Sequence, residues 1–302
     1  MGFMTMNYYL SDLLNDFDTF LKVEKNLSSK TRNAYKYDLK NFLTFLIKKF
    51  NKEPPIDKII DTDIKKYLNQ QQLEKNLKST TLSRMISSIR IFFDFCVENK
   101  CLTNSPAQYI RNPKHTKRLP IYLIGSELKR LLSIPDKSDF LGLRDYTILI
   151  TLAFTGMRLQ EIVNINIEDI DFERNTVKVM GKGSKERLIP INRTLLNALK
   201  DYFEKRPITE DKSVFLNRRA KRLSGRQIER IVKHYALKAQ LTKTKISPHK
   251  LRHTFATLLH LSEVDLIEIQ SLLGHSSITS TQIYTHTNPK KLKTAVEKLE
   301  DI

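Results

Sequence analysis

Cysteine, acidic residues and long apolar runs are all in short supply in this 302-residue chain. Its two cysteines, Cys96 and Cys101, are too few for a disulfide framework and lack the company of a zinc site. Cys96 falls on the apolar face of a predicted helix, which gives it a packing role. The longest apolar stretch, around YTILITLAFTGM, stops short of the roughly 18 residues that a membrane span needs. The beginning, MGFMTMNYYLSDLLNDF, has neither a basic lead nor a continuous apolar segment, so it does not read as a signal peptide. Internal repeats and low-complexity tracts are missing too. These absences predict a cytoplasmic protein with no membrane association.

The shortage of acid is the first functional clue. Against 52 Lys and Arg stand only 33 Asp and Glu, a formal net charge of +19. An AT-rich coding bias accounts for part of the lysine, but the excess of base points to a polyanionic partner, and nucleic acid is the commonest inside cells. Hydrophobic content of 40% and charged content of 28% fit a folded chain, long enough for two domains with real cores.

The first hundred residues read as four helices. In SSKTRNAYKYDLKNFLTFLIKKF, Leu39, Phe42, Leu43, Leu46 and Phe50 recur at helical spacing, with Ser28 or Ser29 as N-cap. Arg32, Lys36 and Lys40 follow at intervals of four on another face. In STTLSRMISSIRIFFDFCVENK, Leu82, Ile86, Ile89, Phe93 and Val97 face inward and Ser83, Arg84, Ser87 and Arg90 outward. Each basic stripe alone could be a solvated face; two of one sign suggest a surface for phosphate backbone. Periodicity then fails from 103 to 121, where three prolines and Lys114, Lys117 and Arg118 predict an extended basic connection. The division is a helical domain over 1–112, a linker over 113–121, and a second domain over 122–302. The second domain is predicted to be mainly α with one β-hairpin, NTVKVM–GKGSK–ERLIPI.

Five of the seven histidines lie between 249 and 286: His249, His253, His260, His275 and His286. A metal site competes for His249 and His253, four apart on a predicted helix. HKLRH, however, has no glutamate of the HExxH kind and sets Arg252 beside the would-be cation, so no metal is expected. Arg158, after the Thr-Gly break in FTGMRLQEI, and His249 with Arg252 in SPHKLRHTFAT suit a phosphate instead, because a guanidinium fork matches phosphate oxygens. Ser247-Pro248 marks that helix entrance. Tyr284 stands among small polar residues in GHSSITSTQIYTHT, an unusual setting for a buried tyrosine.

Taken in order, TGMRLQEI, MGKGSKERLIPI, SPHKLRHTFATLL and LLGHSSITSTQIYTH resemble the signature blocks of the tyrosine site-specific recombinases, and of their Xer branch in particular. FLKVEKNLSSKTRNAYKYDLKNFLTFL is similar to the opening of the Xer core-binding domain, of SAM-like fold, so the likeness spans nearly the whole chain. The resemblance implies a two-domain, C-shaped clamp on double-stranded DNA and a catalytic set of Arg158, Lys182, His249, Arg252, His275 and Tyr284. Tyr284 is the implied nucleophile. Lys182 is the implied acid for the departing 5′-oxygen, His249 the base or proton shuttle, and His275 a donor to the scissile phosphate. Neither cofactor nor ATP is implied, because a phosphotyrosine conserves the phosphodiester's energy for rejoining. Glu161 reads either as an orienting group or as a plain surface residue. His253 and His260 read as structural, and His286 has no assigned role.

The family also implies a homo- or hetero-tetramer on two DNA sites, a Holliday-junction intermediate, and partners such as a second recombinase or a DNA translocase. Leu292, Val296 and Leu299 would form a C-terminal helix that docks on a neighbouring subunit or on its own domain. One departure from the family pattern is HLSEVDL, where many relatives have a glycine at the helix end. Three rival readings remain open on sequence alone: a mobile-element integrase, a type IB topoisomerase, and a catalytically silent DNA-binding protein.

Overall fold

The computed structural model describes residues 7–113, 121–181, 186–241 and 245–274. The chain divides into two compact units, Met1–Lys117 and Arg118–Ile302. Among the described residues no helix is long and apolar enough to cross a membrane.

The first unit holds α1 (Leu10–Val23), α2 (Ser29–Phe50), α3 (Asp61–Lys75) and α4 (Ser79–Glu98). Ser28 caps α2, its Oγ accepting from the Thr31 amide at 3.3 Å. Asn51 and Asn76 end α2 and α3 in left-handed conformations, which asparagine tolerates better than most residues. The core joins Leu39, Phe42 and Leu46 of α2 to Ile86, Ile89 and Phe93 of α4, with Cys96 fully buried among them. Burial pushes the Cys96 thiol up to about 12, which keeps it a protonated packing group. The buried face of α4 is broader than its periodicity implied. Phe92 and Phe95 are also buried and meet Phe17 of α1, with the Phe17–Phe92 rings 5.3 Å apart edge to face.

The basic residues of this unit depart from the sequence-based reading. Arg32 is bound to Asp18 at 2.6 Å with its side chain 17% exposed. Arg84 does not simply face out: it pairs with buried Asp38, which Ser88 Oγ also approaches at 3.3 Å. Arg90 donates to the Ile110 carbonyl. The physical reason is Asp38, a buried carboxylate of α2 that needs a cation, and the Ile110 carbonyl after the 106–109 turn that needs a donor. Of the other members of the α2 stripe, Lys36 is half-buried and Lys40 exposed. The stretch expected to be extended from residue 103 instead turns at 106–109 and buries Ala107 and Ile110. Lys114, Lys117 and Arg118 lie outside the described residues.

The second unit is built around α6 (Phe140–Thr155), following α5 (Gly125–Ser133). The apolar run that was too short for a membrane is this helix, buried over most of its surface. Its three threonines at four-residue spacing are buried with their hydroxyls satisfied, each donating to the carbonyl four residues back, at 2.8, 2.6 and 2.6 Å. After α7 (Leu159–Asn164) comes an antiparallel sheet, β1 (Ile170–Asp171), β2 (Thr176–Met180) and β3 (Glu186–Pro190), in that order. The hairpin was expected; the two-residue β1, paired Ile170 to Val177, carries too little pattern to be read from sequence. Then follow α8 (Arg193–Lys205), α9 (Gly225–Lys238), α10 (Pro248–Leu261) and α11 (Leu266–Leu273). Helix α6 packs against α8 and α10, and α10 against α11.

The helix boundary in HLSEVDL is resolved. Helix α10 ends at Leu261, and Glu263 takes a φ of 67° while its amide donates to the His260 carbonyl at 3.1 Å. A left-handed residue with a side chain is strained where glycine is not. Glu263→Gly is therefore expected to stabilise the second unit by about 1 kcal/mol. The check is a thermal melt followed by circular dichroism, with Glu263→Ala as a control expected to change little.

Candidate active site

Arg158 is placed by a glycine. Helix α6 stops because Gly156 adopts a φ of 60°, and a Cβ there would lie 2.4 Å from the Phe255 ring. The chain turns, and Arg158 becomes the N-cap of α7, its amide donating to Glu161 Oε2 at 2.8 Å. Arg252 is placed by a helix entrance. Pro248 opens α10 and Ser247 Oγ accepts from the Lys250 amide at 3.4 Å, so Arg252 sits on the first turns with 6% exposure. His249, one turn earlier, is exposed.

The two arginines meet at the carboxyl end of α11. Arg252 donates to the Gly156 carbonyl at 2.5 Å and to the Leu273 carbonyl at 2.7 Å. Arg158 donates to the Gly274 carbonyl at 2.9 Å and to Glu161 Oε1 at 2.9 Å. A third guanidinium, Arg187 of β3, was not singled out from sequence. It donates to the Leu272 carbonyl at 3.2 Å and forks both Glu161 oxygens at 2.8 Å. Carbonyls at a helix end have no intrahelical donor and carry the negative end of its dipole, so cations are well suited to hold them. Gly274, at φ 63°, closes the helix, and a Cβ there would fall 2.9 Å from Arg187 Nη1.

Glu161 is the anion at the centre, with its side chain 4% exposed. It is not the plain surface residue that its sequence position allowed. Burial pushes its carboxyl up, but hydrogen bonds and charge from Arg187, with the amide and guanidinium of Arg158, outweigh this and hold it below its ordinary value. His253, next to Arg252 on α10, is half-buried; burial first, then the charges of Lys250, His249 and Arg252, lower its pKa. His260 is buried further along α10. Among the described residues no group of three or more His, Cys, Asp or Glu could hold a metal ion.

The structure thus brings Arg158 and Arg252 together, with His249 on the same helix as Arg252. Lys182, His275 and Tyr284 lie outside the described residues, as do His286 and the expected C-terminal helix. Chemically, the arrangement offers two guanidiniums of net positive field beside the point where the chain enters His275 and, ten residues past Gly274, reaches Tyr284. Arg187 had a readable signal: it shares the inward parity of Ile189 in β3, and a charge at an inward strand position calls for a partner.

Residues 122–291 match the model of the phage integrase family, and residues 14–100 that of the phage integrase N-terminal SAM-like domain. Tyrosine recombinase XerD of Staphylococcus epidermidis is 38% identical over 289 residues, covering 94% of this chain and 97% of its own. Tyrosine recombinase XerC of Pelotomaculum thermopropionicum is 36% identical over 299 residues, covering 94% and 96%. Among solved structures, the XerH site-specific recombinase bound to palindromic difH substrate, a post-cleavage complex, aligns with a TM-score of 0.77 at 25% identity over 95% of this chain and 85% of that one. The Tn1549 transposon integrase with circular-intermediate DNA shares the fold, with a TM-score of 0.75 at 19% identity over 95% and 99%.

Glu161→Gln is expected to destabilise the second unit by about 2 kcal/mol at pH 7, since it leaves the partly buried Arg187 and, to a lesser degree, the more solvated Arg158 short of a counter-charge. A folded carboxyl titrating below its unfolded value stabilises above that value, and the effect is lost as pH falls through the folded pKa. The deficit of the variant should therefore shrink on acidification below pH 4.5, the ordinary glutamate value. Denaturant unfolding at several pH values reads this out; a deficit that does not change with pH would remove the carboxylate charge from the account.

Proposed function

The chain belongs to the phage integrase family and is a Xer-type tyrosine recombinase that cuts and rejoins DNA, and on that premise we propose that Tyr284 forms the covalent bond to the DNA strand. The observation that carries the proposal is the meeting of Arg158 and Arg252 at the end of α11, directly before the segment bearing His275 and Tyr284. Tyr284 Oη attacks the scissile phosphorus in line, the bond to the 5′-oxygen breaks, and a 3′-phosphotyrosine and a free 5′-hydroxyl result. His249 takes the phenol proton and Lys182 gives one to the departing oxygen. Rejoining is the same displacement in reverse, with a phenolate, of pKa about 10, as the leaving group.

Arg158 and Arg252 hold the non-bridging oxygens. The carbonyls of Gly156, Leu273 and Gly274 that they hold are neutral and so weaker partners for a guanidinium than a phosphate anion, and substrate can enter by exchange with these bonds while Arg158 keeps Glu161. His275 donates a further hydrogen bond to the phosphate. Neutralising the two negative charges that build up in the trigonal-bipyramidal transition state is the main catalytic task of this set.

The DNA partner is a duplex recombination site. The net charge of +19 supplies general affinity for the backbone, to which Lys36, Lys40, Lys117 and Arg118 contribute. Arg32, Arg84 and Arg90 contribute chiefly by shaping the first unit. The full-length likeness to XerD and XerC relatives supports resolution of circular DNA dimers as the substrate class, with four protomers acting on two sites through a Holliday junction.

Incubation with a nicked duplex carrying a recombination site, in EDTA, is expected to yield a protein–DNA band that survives denaturation. Tyr284→Phe should abolish it. Arg252→Lys keeps the charge but loses the fork, and should slow formation of the band by about 100-fold. A covalent band that persists in Tyr284→Phe would move the nucleophile elsewhere; no band on any bound DNA would favour a silent DNA-binding protein.

A further inference from the structure

We propose that Arg187 is a positioning residue for strand cleavage, which occupies Glu161 and so keeps that carboxylate from neutralising Arg158. This inference rests on the reading that Arg158 binds the scissile phosphate.

The division of Glu161 between its two partners is unequal. The Arg158 guanidinium touches one oxygen, Oε1, at 2.9 Å, leaving Oε2 to the Arg158 amide at 2.8 Å, while the Arg187 guanidinium takes both, at 2.8 Å each. An Arg158–Glu161 pair alone has no net charge, and at hydrogen-bond distance in a poorly solvated site the carboxylate would cancel much of the field Arg158 presents to a phosphate. Adding Arg187 makes the triad net positive by one charge. Arg187 has its side chain 14% exposed and spends Nε, Nη1 and Nη2 on Leu272 and Glu161, so its effect reaches the DNA through Arg158.

The same guanidinium also supports the turn into the tyrosine segment. It holds the Leu272 carbonyl, and a Cβ on Gly274 would meet its Nη1, Cδ and Cζ at 2.9 to 3.0 Å. One side chain on β3 therefore governs both the charge around Arg158 and the exit of the chain from α11.

The test uses the full-length protein and a nicked duplex recovered from a randomised pool by the wild type's own covalent capture. Two quantities are measured for wild type, Arg187→Gln, Arg187→Lys, Glu161→Gln and the Arg187→Gln/Glu161→Gln double variant. One is DNA affinity by mobility shift; the other is the single-turnover rate of phosphotyrosine formation at saturating protein. Arg187→Gln is expected to slow cleavage about 100-fold with affinity held within about threefold, and Arg187→Lys to fall between it and wild type. The double variant should recover about tenfold or more over Arg187→Gln, because the stranded carboxylate is gone. A purely structural role would show the same recovery in melting temperature, so the rates are compared at a temperature where circular dichroism shows every variant folded.

Additive losses, a parallel fall in affinity and cleavage, or a wild-type rate in Arg187→Gln would each overturn the inference. If circular dichroism shows Arg187→Gln unfolded, Arg187→Lys compared with Arg187→Lys/Glu161→Gln makes the same comparison. If the wild type itself forms no adduct that depends on Tyr284, the recombinase reading fails and takes this inference with it. A normal adduct with an unaffected Arg187→Gln fails the inference alone.

Discussion

Three carbonyls at the end of one short helix organise the second unit. Leu272, Leu273 and Gly274 each receive a different guanidinium, from Arg187, Arg252 and Arg158 respectively. Those arginines come from β3, α10 and the start of α7, and Arg252 also ties in the end of α6 through Gly156. Segments more than a hundred residues apart in the chain are thus fixed to one point. Helix ends leave such carbonyls without partners in any fold; here the requirement is met by Arg158 and Arg252, proposed to bind phosphate, and by Arg187 behind them. Stability and chemistry share the same donors.

That sharing sets a constraint on charge. Three cations in a small volume repel one another, and Glu161 is the anion that makes the cluster tolerable. It must be buried to reach Arg187 and Arg158 together, and burial alone would favour its neutral form. The bonds from Arg187 and Arg158 reverse the balance and keep it ionised. Arginine suits this role better than lysine, since a fixed planar fork can serve a carboxylate on one edge and a carbonyl on another. Arg187 does so with Glu161 and Leu272, and Arg158 with Glu161 and Gly274.

The first unit shows the same economy of charge with a different result. Arg32 and Arg84 satisfy Asp18 and Asp38, and Arg90 satisfies a carbonyl in the turn after α4. Asp38 is raised in pKa, since burial outweighs the bonds from Arg84 and Ser88, so its pairing is a structural necessity more than a gain. A basic stripe on a helix therefore also carries residues that hold the fold together. The net charge available to a polyanion is carried to a larger degree by lysines such as Lys40, whose long stems reach solvent.

Much of this protein could be read directly from its residues. Helical periodicity, caps such as Ser28 and Ser247, and the alternation of β2 and β3 are local properties, and local sterics and hydrogen bonding determine them. The family was legible because TGMRLQEI, SPHKLRHTFAT and GHSSITSTQIYTH keep their spacing, and with it came the proposed roles of Arg158, Arg252 and Tyr284. Tertiary structure alone decided the partners of the charges. Nothing within a few residues of Arg187 announces Glu161, 26 residues away, or Leu272, 85 residues away. Nor does the sequence around Arg84 name Asp38, 46 residues back. A buried charge is set by what the fold places against it, and that pairing is long-range by nature.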